Sequence, residues 1–238
     1  MTPLWEPGTA TGYHGLTYGF ILGEVARRVD GRAIARIVQE EICRPLDITS
    51  LYFGIPDAAE PRVASLENDR SVGDTPTPPP ESLFERSMPG LFSANVTFNL
   101  PELRRASIPA GGGIMNARSL ARHYAALVGG GVDSVRLLTP ERVTIATTVQ
   151  TEADDLVTGV AGRKALGYSL GGPLSPYGDR ITAFGHGGYG GASGFADPDY
   201  RFAFALAKNR LAINMPGEST ANLVASSTRA ALGIPESG

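Results

Sequence analysis

The sequence predicts an α+β fold in which an antiparallel sheet is flanked by helices. Helical patterns dominate the chain to about residue 163, and short strand-like runs separated by turn residues follow from about residue 164. One further helical pattern closes the chain, and no internal repeat is visible. Helices followed by consecutive hairpin-like strands are typical of α+β proteins, because hairpin connections join antiparallel neighbours. Residues 1–238 are therefore expected to lie in one domain with a helical part and a sheet part.

Two helices are predicted after a glycine-rich opening segment. Ile21, Val25 and Val29 repeat every four residues, and a glycine follows as a stop, which is the pattern of an amphipathic helix. Apolar residues recur at helical spacing over 34–42 as well. This second helix is expected to end at Pro45, because proline cannot continue a helix.

The middle of the chain contains one strand-like run, one loop and two capped helices. Residues 51–55 form a short apolar run that predicts a strand, whereas 71–81 is too rich in proline for helix or sheet and predicts a surface loop. Asn116 is a suitable N-cap for a helix over 117–128. A threonine followed by proline begins the next predicted helix, over 139–149.

Four strand-like runs then follow one another closely, as in an antiparallel meander. They read ALGYSLGG, RITAFG, SGFAD and YRFAFALA, with glycines or an Asp-Pro-Asp turn between them. The closing helix is predicted from Ser219 to Leu232. Leu223, Val224 and small residues are its candidates for packing on the sheet.

The composition excludes several classes of protein. With 42% hydrophobic residues and a net charge of -3, the chain has neither a basic face for nucleic acid nor a polybasic run for a membrane surface. Its one cysteine, Cys43, has no partner for an internal disulfide. The opening residues do not resemble a signal peptide, and no apolar run is long enough to span a bilayer. As written, the chain is expected to be cytoplasmic.

Nucleotide and metal sites are not expected either. Residues 185–190 match the G-x-G-x-x-G dinucleotide motif, but a strand and a turn follow them where that motif requires a helix. His14, His123 and His186 share no metal-ligand spacing. The sequence therefore predicts no cofactor.

A second motif offers an alternative nucleophile. Residues 167–171 match G-x-S-x-G, in which a turn between strand and helix exposes a reactive serine in α/β-hydrolases. A proline- and glycine-rich loop follows Ser169 rather than a helix. Ser169 is therefore expected to be an ordinary strand residue, and the α/β-hydrolase hypothesis is the weaker one.

Three longer segments together resemble one family. They are W-x-PGT-x-x-GYHGLTYGFILGEVARRVDG at 5–31, IPAGGGIMNARSLARHYAAL at 108–127 and FGHGGYGGASGFADP at 184–198. The set resembles the serine β-lactamase and penicillin-binding-protein superfamily, in particular its family VIII carboxylesterases and β-lactamase-related hydrolases. This resemblance covers almost the whole chain and implies a β-lactamase/transpeptidase-like fold.

The resemblance assigns roles to the first of these segments. In the family, a serine of an S-x-x-K motif attacks an acyl carbon, and a tyrosine of a Y-x-N triplet helps the lysine move its proton. Tyr13 matches that tyrosine, and His14 and Gly15 complete the triplet on the substrate side. A phenol titrates near pH 10, so neighbouring cations must push Tyr13 toward phenolate if it is to act as a base near neutrality.

The third segment matches the strand that borders the substrate cleft in the family. His186, Gly187 and Gly188 occupy the K-T-G position, where glycines let an acyl group lie against the strand. The backbone N–H of Tyr189 would donate to the oxyanion. The other donor would be the N–H of the nucleophile.

The nucleophile motif itself is missing. The chain has two lysines, Lys164 and Lys208, and alanine stands three residues before each, so no S-x-x-K occurs. In the family that motif lies upstream of the tyrosine triplet, on a helix that follows the first strands. The chain is thus expected to be the C-terminal portion of one β-lactamase-like domain, without those strands and that helix, and to be inactive alone.

Two departures from the family bear on the substrate. Gly15 replaces the asparagine of the β-lactamase triplet, and His186 replaces the lysine of K-T-G. Both changes weaken recognition of β-lactams and favour an esterase that acts on small acyl esters. The competing hypothesis is a folded, non-catalytic remnant that serves as a binding or assembly module and associates with itself through an uncovered sheet edge or core.

Overall fold

A four-stranded antiparallel sheet organises the second half of the chain. The computed structural model describes residues 2–73, 77–90, 93–173, 175, 177–213 and 219–237. The sheet has the order β4-β5-β6-β7 and is formed by β4 (Ser169–Leu170), β5 (Phe184–Gly187), β6 (Ser193–Asp197) and β7 (Phe202–Leu206). Each strand pairs with the next along the chain, which confirms the predicted meander.

Nine α-helices and two small strand pairs make up most of the remaining regular secondary structure among the described residues. The helices are α1 (Gly15–Asp30), α2 (Ile34–Ile37), α3 (Arg70–Gly73), α4 (Leu83–Ser87), α5 (Ala94–Thr97), α6 (Pro101–Arg105), α7 (Ala117–Ala125), α8 (Pro140–Thr147) and α9 (Thr220–Leu232). The strand pairs are β1 (Leu51–Phe53) with β3 (Gly113–Met115), antiparallel, and β2 (Glu67–Asn68) with β8 (Arg210–Leu211), parallel. This α+β arrangement confirms the predicted fold class.

The two faces of the sheet are covered by different helices. Helix α7 contacts β6 and β7 closely, because a Cβ atom on Gly194 would lie 2.7 Å from the side chains of both Leu120 and Tyr124. On the other face, Phe195, Phe204 and Ala225 of α9 belong to one buried aromatic cluster. Alternation along β6 therefore sends successive residues to two separate cores.

The caps predicted at Asn116 and Thr139 are present, and the helices that they begin are shorter than predicted. The Asn116 side chain accepts a hydrogen bond from the Ser119 N–H, and Ser219 does the same for the Asn222 N–H. The helix predicted over 117–128 ends at Ala125, and the one predicted to 149 ends at Thr147. The second predicted helix changes at Val38 into a π-helix, Val38–Cys43, and the run 51–55 is a strand over its first three residues.

The loop predicted over 71–81 is partly wrong. Its first three residues belong to α3, and the Asp69 carboxylate supports this turn by accepting hydrogen bonds from the N–H and the hydroxyl of Ser71. Residues 74–76 lie outside the described part of the chain. Prolines farther along 71–81 therefore do not prevent one helical turn ahead of them.

The closing helix has the predicted bounds but the opposite orientation to that expected. Leu223 and Val224 are exposed, whereas Ala221, Ala225 and Arg229 face the core at intervals of four residues. The buried guanidinium of Arg229 donates to the Tyr177 carbonyl and stacks 4.9 Å from the centre of the Phe195 ring. These compensating contacts place the charge inside and turn the aliphatic residues toward solvent.

Helix α1 packs through glycine rather than through its aliphatic stripe. Gly19 is buried against Ala110, whose Cβ would lie 2.5 Å from a Cβ at position 19, and Gly23 meets Pro109 in the same way at 3.1 Å. The stripe of Ile21, Val25 and Val29 is consequently exposed. Glycines lie on the inner face of α1 because they allow the closest approach of the two backbones.

Acid should destabilise the fold through His123 on α7. Burial lowers the pKa of this imidazole from 6.5 to about 4. The folded state therefore keeps His123 neutral, and stability present above pH ~6.5 is lost as the pH falls toward ~4. We expect a loss of about 2 kcal/mol, less than the ~3 kcal/mol of the full shift because the residue keeps some contact with water. Urea unfolding at a series of pH values measures this loss of stability, and His123→Gln should remove this part of the pH dependence.

No helix in the described part of the chain is both long and apolar enough to cross a membrane.

Candidate functional site

Tyr13 and His186 come together although they lie far apart in sequence. Their rings are stacked with centroids 6.0 Å apart and an interplanar angle of 26°. Tyr13 is half-buried just before α1, and His186 is exposed in β5. The segments at 5–31 and 184–198 therefore meet in the folded chain.

The segment that carries Tyr13 is fixed by contacts with residues near 155. The Tyr13 N–H donates to Asp155 Oδ1 at 3.1 Å, and the Leu156 N–H donates to the Thr11 carbonyl at 2.9 Å. At Gly12, a Cβ atom would collide with the Trp5 ring at 2.5 Å. The backbone on both sides of Tyr13 is thus held by residues outside α1.

The phenol folds back over the first turn of α1. A Cβ atom on Gly15 would lie 3.1 Å from the Tyr13 hydroxyl oxygen and 3.4 Å from its ring. His14 is the N-cap residue of α1, but its side chain accepts no hydrogen bond from the N–H groups of the first turn. Its Nδ1 lies 2.7 Å from the Thr17 hydroxyl oxygen. His14 is exposed beside the site, and glycine at 15 leaves room for the phenol.

The charge that acts on the Tyr13 phenol is opposite to the one expected. Burial raises the pKa of the phenol, and the nearby Asp155 carboxylate raises it further. Lys164 does not supply the expected cation, because its ammonium group is bonded to Asp155. Within the described residues Tyr13 is therefore a protonated phenol at neutral pH, and a base role requires an additional cation.

His186 is held in one tautomer when it is neutral. Its Nδ1 lies 2.7 Å from the Gly187 carbonyl oxygen, which can only accept a hydrogen bond, so Nδ1 carries the proton. Nε2 is then an acceptor that is free to take a proton from a reacting group. The imidazole lies beside the phenol ring and in contact with solvent.

The strand surface at Gly187 and Gly188 is open. A Cβ atom would meet Ala192 at 3.9 Å from Gly187 and at 3.5 Å from Gly188, both ordinary contacts. The Gly188 N–H donates to the Ala192 carbonyl and closes the hairpin. Packing among the described residues does not require glycine at these two positions, so their small size leaves space above the strand.

Tyr189 lies in the hairpin turn that follows. Its side chain packs on a cluster that contains Val72 and Leu211, and burial raises the pKa of its phenol. The next glycine is required here, because Gly190 has a φ of +84° and a Cβ there would lie 2.5 Å from Leu211. The oxyanion role of the Tyr189 N–H stays a prediction.

Two residues that the sequence did not single out belong to this region. Tyr177 is buried beneath the site, where burial raises the pKa of its phenol and hydrogen bonds with Ser169 and with the Gly187 backbone oppose that effect. Asp155 holds the backbone of Tyr13. Tyr177 lies in a segment interpreted only as a loop, and Asp155 had no motif, so local patterns gave no signal for either.

The two competing glycine motifs lack the structures they require. Ser169 lies in β4 opposite Gly185, and the chain continues from β4 into a loop, so the strand–turn–helix of a nucleophile elbow is not formed. Residues 185–190 run from β5 into a hairpin and not into a helix. Within the described residues, no cluster of three or more His, Cys, Asp or Glu side chains could hold a metal ion.

Comparisons with known proteins identify the family. The family model described as Beta-lactamase matches residues 1–229. The chain is 36% identical over 223 residues to the esterase/beta-lactamase LipL of Mycobacterium tuberculosis (strain ATCC 25618 / H37Rv), and this match covers 86% of the chain and 50% of LipL.

Solved structures agree with this assignment. A penicillin-binding protein homologue from Caulobacter crescentus superposes with a TM-score of 0.85 at 33% identity, over 97% of this chain and 61% of that one. EstA from Arthrobacter nitroguajacolicus Rue61a gives a TM-score of 0.84 at 28% identity, over 98% of this chain and 63% of EstA. A family VIII carboxylesterase gives a TM-score of 0.80 at 29% identity, over 96% of this chain and 61% of that one.

The chain thus spans half the length of LipL and less than two thirds of each of these solved chains. With the antiparallel sheet, the flanking helices and the match over residues 1–229 in agreement, the chain belongs to the β-lactamase family.

Proposed function

We propose that this chain carries one side of the active site of a serine hydrolase that cleaves small acyl esters through an acyl-enzyme. The observation that carries the proposal is the stacking of Tyr13 on His186 above an open strand surface. A phenol, an imidazole and an open strand surface are features that an acyl-transfer site uses to move a proton and to seat an acyl group.

The proposed roles follow from the chemistry of each group. Tyr13 receives the proton of a serine nucleophile, once a lysine from the S-x-x-K segment neutralises the effect of Asp155 on its pKa. The strand at Gly187 and Gly188 seats the acyl group, and the Tyr189 N–H donates to the oxyanion of the tetrahedral intermediate. The serine is acylated as the alcohol leaves, and water then releases the acid.

Esters fit the site better than β-lactams. An asparagine at position 15 would place its Cβ 3.1 Å from the Tyr13 hydroxyl oxygen, so the phenol would have to move. At position 186, an imidazole takes the place of the ammonium group that favours the carboxylate of an antibiotic. The matched relatives include one protein named as an esterase/beta-lactamase and one named as a family VIII carboxylesterase.

The chain alone should not turn over esters, because its 238 residues contain no S-x-x-K motif. We expect neither release of p-nitrophenol from p-nitrophenyl butyrate nor labelling by a fluorophosphonate probe. Mass spectrometry of the probe-treated chain provides the check. A labelled serine together with turnover would contradict the proposal that the nucleophile is missing.

Activity should appear when the part of a relative that this chain does not cover is supplied. The test co-expresses this chain with the part of the family VIII carboxylesterase that it does not cover, and the resulting pair is called the hybrid below. We expect the hybrid to hydrolyse p-nitrophenyl butyrate faster than the β-lactam nitrocefin. A hybrid that assembles but cleaves neither compound would contradict a hydrolase role for this chain.

Exposed apolar helix faces favour a second proposal, a non-catalytic assembly module. Phe20, Ile21 and Val25 line one such face on α1, and Leu223 and Leu232 line another on α9. Faces of this kind mark interaction surfaces. We propose that copies of the chain associate through them. Light scattering should then show a dimer or larger species, and a monomer at high concentration would contradict this second proposal.

A further inference from the structure

A buried carboxylate outside the predicted site is connected to it by hydrogen bonds. Asp155 Oδ1 accepts from the backbone N–H groups of Tyr13 at 3.1 Å and of Val157 and Thr158 at 2.9 Å each. Its Oδ2 accepts from the Lys164 ammonium group. The Asp155 side chain is fully buried and the Lys164 side chain is 27% exposed.

These four donors require a carboxylate. Two ionised oxygens offer about four lone pairs and no proton, whereas the amide of an asparagine would direct an N–H group at the Lys164 ammonium. Contacts with Lys164 and with the three N–H groups lower the pKa of the Asp155 carboxyl, although burial acts to raise it. The group is therefore charged at neutral pH and fully paired, which is the condition for burying a charge.

Lys164 connects this carboxylate to the sheet. Its backbone forms an antiparallel bridge with Ser169, which lies opposite Gly185 in β5, the residue before His186. On the other side, residue 155 forms a parallel bridge with Thr11, two residues before Tyr13. The Asp155–Lys164 pair therefore lies between the segment that carries the phenol and the strand that carries the imidazole.

We propose that Asp155 is a positioning residue for Tyr13, with Lys164 as its counter-ion, and that this pair holds the phenol against His186. Its meaning for catalysis rests on the proposed function, but the positioning itself is a property of the folded chain. Removal of the carboxylate should release the Tyr13 backbone and separate the two rings.

The ring contact can be followed without any enzyme activity. The chain has three histidines, so the Cε1–H NMR signals of His14, His123 and His186 can be assigned by single substitutions. Tyr13→Ala should shift the His186 signal, because the stacked phenol is then gone. Asp155→Asn should shift the His186 signal by most of the change in chemical shift seen in Tyr13→Ala. It should leave the chemical shift of the His123 signal unchanged.

Two further variants make the test specific. Asp154→Asn is the matched control, since Asp154 is the exposed neighbouring carboxylate, and it should leave all three signals unchanged. Lys164→Gln should shift the His186 signal in the same direction as Asp155→Asn but less, and it serves as the readout if Asp155→Asn does not fold.

Three outcomes would overturn the proposal. The first is an unchanged His186 signal in Asp155→Asn. The second, when Lys164→Gln is the readout, is an unchanged His186 signal in that variant. The third is a shift of both the His186 and the His123 signals, which would show a general loss of packing. Failure of the hydrolase proposal would appear instead in the ester assay of the hybrid. The two proposals can therefore fail separately.

Discussion

Replacing Tyr13 by phenylalanine is expected to lower kcat of the hybrid on p-nitrophenyl butyrate by about 10²- to 10⁴-fold, the range for loss of a general acid–base group. The substitution removes one oxygen and keeps the ring that stacks on His186. The fold and the acyl-binding strand should therefore be retained, and KM should change little. Steady-state kinetics of the variant hybrid measures both quantities.

Tyr18→Phe is the matched control for this prediction. Tyr18 lies on α1, five residues after Tyr13, and it is exposed. Its variant should keep kcat within about 2-fold of the starting hybrid, as expected for a residue outside the proton-transfer step. A Tyr13→Phe hybrid that kept full kcat would contradict the role proposed for the phenol.

Replacing Phe195 by alanine is expected to reduce the free energy of unfolding by about 3–5 kcal/mol, as found for large-to-small changes of buried aromatic residues. Phe195 is fully buried in β6, and its ring centroid lies 5.3 Å from that of Phe204 and 5.5 Å from that of Tyr177. It also lies beneath the Arg229 guanidinium, which would lose one of its compensating contacts. Urea unfolding followed by circular dichroism measures the loss.

Phe20→Ala provides the comparison on the surface. Phe20 lies on α1 and is 52% exposed, so the same change of side chain should cost less than about 1 kcal/mol. If both variants lost the same stability, the sheet face that Phe195 covers would not be the main core of this part of the chain.

Phe195 and the neighbouring Gly185 also connect the core to the site. A Cβ atom on Gly185 would lie 2.5 Å from the Phe195 Cβ, so these two residues fit only as a pair. Gly185 directly precedes His186 in β5. The orientation of the strand that carries the imidazole therefore depends on the close approach of Gly185 to Phe195 in the neighbouring strand.

Much of the secondary structure could be predicted because it depends on short-range chemistry. Asn116, Thr139 and Ser219 cap helices through their own side chains, and each accepts a hydrogen bond from an N–H three residues later. The strands of the meander are separated by glycines or by an Asp-Pro-Asp turn, in which Asp197 accepts from the Asp199 N–H. Each of these signals lies within a few residues of its effect.

The orientation of the helices could not be predicted in the same way. A period of four residues in α1 indicates a helix but does not say which side is inside, and Gly19 and Gly23 take that side because the segment at 109–110 approaches so closely. In α9, Arg229 faces the core because its guanidinium stacks on the Phe195 ring and donates to the Tyr177 carbonyl. Both outcomes depend on partners distant in sequence.

By itself, the sequence determined the order and type of the main elements and, through its resemblance to a family, the segments of Tyr13 and His186. The tertiary structure decided that these two rings meet, that burial and the Asp155 carboxylate raise the pKa of the phenol, and that Tyr177 lies beneath the strand. The physical reason is distance along the chain. Capping and turn formation join neighbouring residues, whereas the bond from the Tyr13 N–H to Asp155 joins residues 142 positions apart and exists only once the sheet has brought them together.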